Sequence, residues 1–173
     1  MPDSGTLLAL DLGGTVGWAC AKPGGDPVHG SVRLPGDRGD AAYFDFYASW
    51  LEAAIAVHAP RLLVYEAPII TGAKTHFKTA FRLIGLSAIT LLVGHKREVP
   101  RIESVNNATV KKQISGDGRA KKRAMIDEMW RRGWSPKDEH AADALGVLLV
   151  AEARFAPKTQ RAAGPLFFTR GSA

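Results

Sequence analysis

Three acidic residues stand in stretches of the sequence that are otherwise almost entirely apolar. Asp11 and Glu66 close the short runs TLLALD and RLLVYE, and Asp143 lies within the segment HAADALGVLLVAEA. Carboxylates are almost never buried without a partner, so each of the three needs a compensating partner nearby. His140 precedes Asp143 by three residues, a spacing that places both side chains on one face of a helix.

These four residues could together bind divalent metal ions. Asp11 and Glu66 end segments typical of buried strands, and the strand ends of an α/β sheet are where ligand sites collect. If the helix with His140 and Asp143 packs across those ends, the carboxylates converge and repel one another unless cations lie between them. Mg²⁺ and Mn²⁺ prefer oxygen ligands, and two such ions about 4 Å apart can hydrolyse a phosphodiester. The pattern predicts a two-metal site that cuts a nucleic acid backbone.

Each of these residues also has a simpler structural interpretation when it is taken alone. Asp11, which stands just before a glycine pair, could hold a turn through its side chain. Glu66 could be a surface strand end paired with a lysine. His140 and Asp143 could be a helix cap and a dipole interaction, with Asp143 in a salt bridge. The occurrence of all three carboxylates in apolar surroundings favours the metal site.

The charge of the chain suggests a polyanionic partner. Its 23 Lys and Arg residues outnumber its 17 Asp and Glu residues, for a formal net charge of +6. A nucleic acid would fit this balance, although a solvated helix face has the same pattern. Many of the basic residues are close together in the sequence, namely Lys111, Lys112, Arg119, Lys121, Lys122, Arg123, Arg131 and Arg132.

The bulk composition is typical of one soluble domain. The chain has 173 residues, of which 46% are hydrophobic and 23% charged. No stretch approaches the roughly 20 apolar residues that span a membrane, and the N-terminus lacks the pattern of a secretion signal, so we expect a cytoplasmic protein. Cys20, as the single cysteine, cannot form an internal disulfide or a zinc cage. We expect a domain over residues 1–156 and a polar, flexible tail over 157–173.

The elements that would position the acidic residues follow from the periodicity of apolar residues. Short apolar runs predict strands, and apolar positions at helical spacing predict helices, so the expected fold is mixed α/β. Strands are predicted at 6–12, 16–21, 28–34, 61–66 and 101–105, and helices at 41–58, 75–94, 106–114, 121–132 and 138–154. The helix at 75–94 is expected to be mostly buried.

Four blocks of the sequence resemble, in order, those of the RuvC-like Holliday junction resolvases. The blocks are ALDLGGTVGWA, LLVYEAP, VKKQISGDGRAKK and HAADALGVLLVA, which together run from residue 7 to about 153. The resemblance implies an RNase H-like fold, with a mixed five-stranded sheet of three antiparallel and then two parallel strands, flanked by helices. It also implies a homodimer through the helix near residues 75–94, and metal-dependent paired nicking of four-way DNA junctions without a nucleotide cofactor.

The same resemblance assigns roles to individual residues. Asp11, Glu66, His140 and Asp143 match the family's metal positions, although many relatives have aspartate where this chain has His140. Lysines at two matching positions contact phosphate near the scissile bond, and their charge would stabilise the transition state. Those two catalytic lysines are Lys111 and Lys122. The expected DNA-binding residues are Ile69, Lys74, Lys111, Lys112, Arg119, Lys121, Lys122 and Arg123.

Ile69 departs from the family pattern. Relatives often have an aromatic side chain three residues after the strand glutamate, and that side chain inserts at the centre of the junction. An isoleucine keeps an apolar wedge but cannot stack, so the preference for junctions could differ here. Phage-type members of the family act on a wider range of branched DNA, and this chain could be one of them.

Three other functions share parts of the pattern. The DLGGT run also begins the phosphate-binding hairpin of actin-like and sugar-kinase phosphotransferases, but 173 residues are too few for two such domains. A DNA-binding protein of the same fold without junction cleavage would keep the basic surface, and the complete acidic set speaks against it. A YqgF-like nuclease acting on RNA would use the same site.

Overall fold

A mixed five-stranded sheet forms the centre of the protein. The computed structural model describes residues 5–68, 76–106, 110 and 122–155, with the backbone alone at 122–124. The strand order is β3-β2-β1-β4-β5, in which β1, β2 and β3 are antiparallel and β4 and β5 run parallel to β1. This topology confirms the predicted sheet. The strands are β1 (Thr6–Asp11), β2 (Thr15–Ala21), β3 (Val28–Arg33), β4 (Pro60–Glu66) and β5 (Arg101–Val105).

Four described helices cover the two faces of the sheet. They are α1 (Gly39–His58), α2 (Phe77–Lys96), α3 (Lys122–Arg131) and α4 (Glu139–Phe155). Helix α3 ends before Gly133, whose φ of 83° is a conformation that glycine adopts without strain. The predicted short helix at 106–114 and the predicted tail at 157–173 lie wholly or mostly outside the described residues.

Alternating residues of the strands build a separate core on each face. In β1, Leu8 and Leu10 pack with residues of α1 and α2, whereas Leu7 and Ala9 pack with residues of α3 and α4. Side chains of a strand alternate between faces, so Asp11 follows Leu7 and Ala9 onto the α4 face. The same alternation in β4 puts Glu66 on the α4 face after Leu62 and Val64.

Helix α2 differs from its predicted environment. Only one side of it is buried, through residues such as Leu86 and Val93, and a row of large apolar side chains faces outward. Gly85 explains the close packing against α1, because a Cβ atom at this position would lie 2.4 Å from the Phe44 ring. The prediction of a mostly buried helix, which rested on its apolar composition, was therefore wrong. The outward residues are Phe77, Phe81, Ile84, Leu91 and Leu92.

By length and composition alone, α2 could also cross a membrane, so the expectation that no stretch of the sequence is long and apolar enough was wrong; the same holds for no other helix in the described part of the chain. This criterion is met equally by helices in the cores of soluble proteins. Gly94 of α2 packs closely on Ile102 and Leu63, where an added Cβ atom would lie 2.6 Å and 3.2 Å from their side chains. The helix is thus fitted to the sheet along its buried side.

Candidate metal site

The first predicted ligand stands at the end of the central strand. Asp11 is the last residue of β1 and pairs with Gly17 of β2 across the antiparallel ladder. Its side chain is 17% exposed. A tight turn through Gly13 and Gly14 follows, so the carboxylate lies at the C-terminal end of the central strand, where the chain reverses.

A second part of the site is the beginning of α4, which the sequence predicts to open at Asp138. The backbone N–H of Ala141 donates to Oδ1 of Asp138 at 2.9 Å, as expected of a helix cap. The hydroxyl of Ser31 in β3 donates to the other carboxylate oxygen. Burial by itself would raise the pKa of Asp138, but these hydrogen bonds and the nearby His140 outweigh it and lower the pKa. The cap therefore ties the start of α4 to β3.

Gly17 lets the first turn of α4 lie directly on the sheet. A Cβ atom at this position would be 1.9 Å from the carbonyl oxygen of His140 and 3.2 Å from the amide nitrogen of Ala141. No residue other than glycine leaves room for so close an approach. Because Gly17 pairs with Asp11, this contact places the helix start beside the Asp11 carboxylate.

His140 and Asp11 meet at this point. Nδ1 of His140 lies 3.3 Å from Oδ2 of Asp11, although 129 residues separate them in the chain. The hydrogen bond to Asp11 raises the pKa of His140, against the smaller opposing effect of burial, and the charges of Asp11, Glu139 and Asp138 act in the same direction. Two of the four predicted ligands are thus in direct contact.

The other two predicted ligands, Glu66 and Asp143, stand on neighbouring elements. Leu10 of β1 pairs with Tyr65 of β4 in the parallel ladder, so the residues that follow, Asp11 and Glu66, end adjacent strands at the same level. Asp143 lies one helical turn beyond His140 on α4. Both Glu66 and Asp143 are half-buried, and each already interacts with another group.

The four residues stand on neighbouring elements, but their side chains do not surround a single point. Within the described ranges, no three His, Cys, Asp or Glu side chains are close enough together to hold one metal ion. The donor set nevertheless suits a hard divalent cation, because it offers three carboxylates and one imidazole at one end of the sheet. These residues therefore fit Mg²⁺ or Mn²⁺ by chemistry, and binding would require them to draw closer.

The predicted DNA-binding residues are described only in part. Lys122 and Arg123 belong to α3, but their side chains are outside the described part of the chain. Six more positions lie entirely outside it, namely Ile69, Lys74, Lys111, Lys112, Arg119 and Lys121. Their roles stay predictions.

Two members of the basic cluster pair with a buried carboxylate. Arg131 and Arg132 both form ion pairs of 2.9 Å with Glu128, whose side chain is only 3% exposed. A carboxylate so deeply buried needs such partners. Arg132 is largely buried in turn, whereas the side chain of Arg131 is 60% exposed, so the single Glu128 carboxylate balances only one of the two arginine charges and a positive charge stays at the surface.

A groove of about 840 Å³ opens beside His140. Its walls come from the turn after β1, the end of β3 and the two helices on the opposite face of the sheet. Tyr43 and Arg82 of these walls were not predicted from the sequence, since a tyrosine and an arginine at helical positions carry no signal by themselves. Gly14, Tyr43 and Arg82 all line the groove.

Comparison with known proteins identifies the fold of this chain. No model of a known protein family matches the sequence, and no curated protein matches it either. Among solved structures, Thermus thermophilus RuvC superposes with a TM-score of 0.71 at 16% identity, covering 90% of this chain and 98% of that one. The chain has the RuvC fold. The predicted RNase H-like architecture is thereby confirmed.

Two further solved structures are similar to this chain. T. thermophilus RuvC in complex with a Holliday junction substrate gives a TM-score of 0.72 at 16% identity, covering 88% of this chain and 95% of that one. The yeast mitochondrial Holliday junction resolvase Ydc2 gives 0.58 at 12% identity, covering 85% and 77%. At these identities the likeness to RuvC concerns the fold. Nothing in these three structures supports a phage-type member.

Proposed function

We propose that this protein is a metal-dependent endonuclease that resolves Holliday junctions and other branched DNA by paired nicks. The observation that carries the proposal is the contact between Asp11 and His140. It brings the start of α4 to the end of β1, beside the strand end that bears Glu66. A sheet edge with this donor set on a RuvC fold suits phosphodiester hydrolysis.

Asp11, Glu66 and Asp143 would supply oxygen ligands to Mg²⁺ or Mn²⁺, two ions per site, and His140 would supply a nitrogen ligand. When bound, such ions activate a water and stabilise the leaving oxygen of a phosphodiester. The chain's own part is to hold the ligands in place. Asp138 fixes the start of α4, and Gly17 lets that start approach the strand.

Lys111 and Lys122 would contact phosphate near the scissile bond and stabilise the charge that develops there. The other predicted contacts would hold the arms of the junction through their phosphates, and Ile69 would form an apolar wedge at its centre. The complex of T. thermophilus RuvC with a Holliday junction substrate supports a branched DNA as the partner. The remaining predicted contacts are Lys74, Lys112, Arg119, Lys121 and Arg123.

The proposal includes a homodimer formed through α2. Paired nicks require two active sites, and the described residues of one copy form one candidate site. The outward row of apolar side chains on α2 would be costly to leave in water, and a second copy would cover it with the same row. A two-fold contact of this kind would give two sites related by symmetry, as a four-way junction requires.

The test is a cleavage assay on three substrates of matched sequence. They are a synthetic four-way junction, a linear duplex and a structured RNA. Each is incubated with Mg²⁺, with Mn²⁺ or with EDTA. We expect symmetric nicks in the junction that require metal, and little cutting of the duplex. Preferential cutting of the RNA would favour an RNA nuclease, and junction binding without cutting would favour a DNA-binding protein; either result would overturn the proposal.

A further inference from the structure

The turn that follows Asp11 is held by hydrogen bonds to both of its glycine carbonyls. The hydroxyl of Tyr43 in α1 donates to the carbonyl oxygen of Gly13 at 3.1 Å. The backbone N–H of Leu34, just after β3, donates to the carbonyl oxygen of Gly14 at 2.9 Å. Glycines are the most flexible residues of a chain, so these two bonds restrict the backbone of the turn.

Tyr43 is well suited to act as a fixed donor. Its side chain is buried among the residues of α1 and α2, with 2% of the residue exposed. Burial raises the pKa of its hydroxyl, with Arg82 acting against this effect and Asp40 with it. The hydroxyl therefore keeps its proton at neutral pH and can donate to Gly13 throughout.

Arg82 of α2 contacts both Tyr43 and the loop after β3, which donate to the carbonyls of Gly13 and Gly14. Its guanidinium lies over the Tyr43 ring, 4.3 Å from the centroid. Nε donates to Oδ1 of Asp40 at 2.7 Å, and Nη2 donates to the carbonyl oxygen of Gly36 at 3.0 Å. Gly36 belongs to the loop that begins with Leu34, so one side chain holds Tyr43 and that loop together.

We infer that Tyr43 and Arg82 are positioning residues, which hold the turn after β1 so that the Asp11 carboxylate stays directed at the metal site. This inference rests on the proposed function, because it assigns these residues to the same metal site. The path is short. Arg82 contacts Tyr43, Tyr43 contacts the carbonyl of Gly13, and Gly13 is two residues from Asp11.

Metal affinity is the property that such positioning would change. Groups that orient metal ligands from outside typically contribute 10- to 100-fold to affinity or activity when they contact the ligand itself. Tyr43 acts through the backbone, two residues away from Asp11. We therefore expect an effect of roughly three- to tenfold, which is about the worth of one net hydrogen bond.

The chain offers a matched pair of variants. Tyr43→Phe removes the hydroxyl that reaches Gly13. Tyr47→Phe removes a hydroxyl one turn further along α1, which instead shares a 2.7 Å hydrogen bond with Thr90 of α2. Both changes delete one buried hydroxyl from the same helix, so a general loss of packing or stability would affect both. Only the first change touches the turn beside Asp11.

The experiment measures Mn²⁺ binding to the full chain by calorimetry, and melting temperature in the same buffer. We expect Tyr43→Phe to weaken Mn²⁺ binding roughly three- to tenfold. Tyr47→Phe should lower the melting temperature while leaving Mn²⁺ affinity at the wild-type value. Unchanged affinity in Tyr43→Phe, or an equal loss in both variants, would overturn the inference.

A second variant tests the part of Arg82. Arg82→Lys keeps the charge, but a lysine cannot donate to Asp40 and Gly36 at once while stacking on Tyr43. It should weaken Mn²⁺ binding in the same direction as Tyr43→Phe, and wild-type affinity would remove Arg82 from the assignment. A wild-type protein that binds Mn²⁺ but cuts no DNA would refute the proposed function and still leave these comparisons decisive. A wild-type protein that binds no Mn²⁺ would refute both.

Discussion

Among single residues, Asp11 has the most demanding surroundings. It ends a strand buried along most of its length, contacts His140, and is supported through the turn that Tyr43 holds. Its importance could be predicted from the sequence, because an acidic residue in an apolar run needs a partner. The sequence also predicts that Asp11 and His140 share a site, but their direct contact could not be predicted, since 129 residues separate them and nothing local connects the two.

Asp11→Asn tests the role of this carboxylate. The amide has nearly the same shape but no negative charge, so it should bind metal poorly while keeping its place in the turn. We expect junction cutting to fall by a factor of about 100 or more, since metal-ion stabilisation is worth several kcal/mol. Measurements are the single-turnover rate on a four-way junction and the affinity for the same junction.

The control for this variant is Asp45→Asn, which changes an exposed carboxylate on α1. It should cut at the wild-type rate. Junction affinity should stay near that of the wild type in both variants, because the predicted DNA contacts lie on other residues. Full cutting by Asp11→Asn would exclude this residue from the site.

Among elements, the decisive contact is between α4 and the β1–β2 hairpin. The sequence predicts both elements with nearly their observed bounds, and it predicts Asp138 as the opening residue of α4. It does not reveal that Ser31 holds the other side of Asp138, because a serine within a strand has no distinctive pattern. Gly17 was a detectable signal, since a glycine inside a strand often marks a close approach of another backbone.

Gly17→Ala should separate these two elements. The new methyl group would overlap the carbonyl of His140, so the start of α4 must move away from Asp11. We expect a loss of about 1–3 kcal/mol in the free energy of unfolding, as for overpacked cores, together with weaker Mn²⁺ binding. Chemical denaturation and calorimetry measure the two effects.

Gly14→Ala is the matched control in the same hairpin. An added Cβ atom at Gly14 has no neighbour within 4 Å, and its backbone conformation is one that alanine can adopt. Its stability should therefore stay within about 0.5 kcal/mol of the wild type. If Gly17→Ala were as stable as Gly14→Ala and bound Mn²⁺ normally, the close approach of α4 would not matter for the site.

For the whole molecule, the proposed dimer depends on the exposed apolar side of α2. The sequence predicts the helix itself. It does not distinguish a buried core helix from a helix with an exposed apolar face, because both kinds of helix are rich in apolar residues. The structure separates the two by placing Leu86 inside and Leu91 outside. A stable dimer usually buries about 1,200–2,000 Å² in total, an area that several large apolar side chains on each copy could supply.

Ile84→Glu combined with Leu91→Glu tests the dimer. Both side chains are about half exposed in the single chain, so the fold should tolerate the changes. In the proposed dimer, the new carboxylates would be buried in the two-fold contact without partners, which is costly. We expect a dimer for the wild type and a monomer for the double variant by sedimentation equilibrium. The monomer should lose paired nicking.

Val28→Glu serves as the control. Val28 is also about half exposed, but it stands on β3, at the edge of the sheet away from β4 and β5, where α2 packs. This variant should remain a dimer. A monomeric wild type, or a double variant that stays dimeric, would contradict the proposed role of α2.

The most direct test of the whole account is the location of bound metal. A crystal of the protein soaked in Mn²⁺ and measured near the manganese absorption edge gives an anomalous difference map that shows the ions independently of any assumed site. We predict peaks within about 2.5 Å of carboxylate oxygens of Asp11, Glu66 and Asp143, and their loss in Asp11→Asn. A well-occupied ion elsewhere, or none at this sheet edge at saturating Mn²⁺, would contradict the central claim that these residues form one metal site.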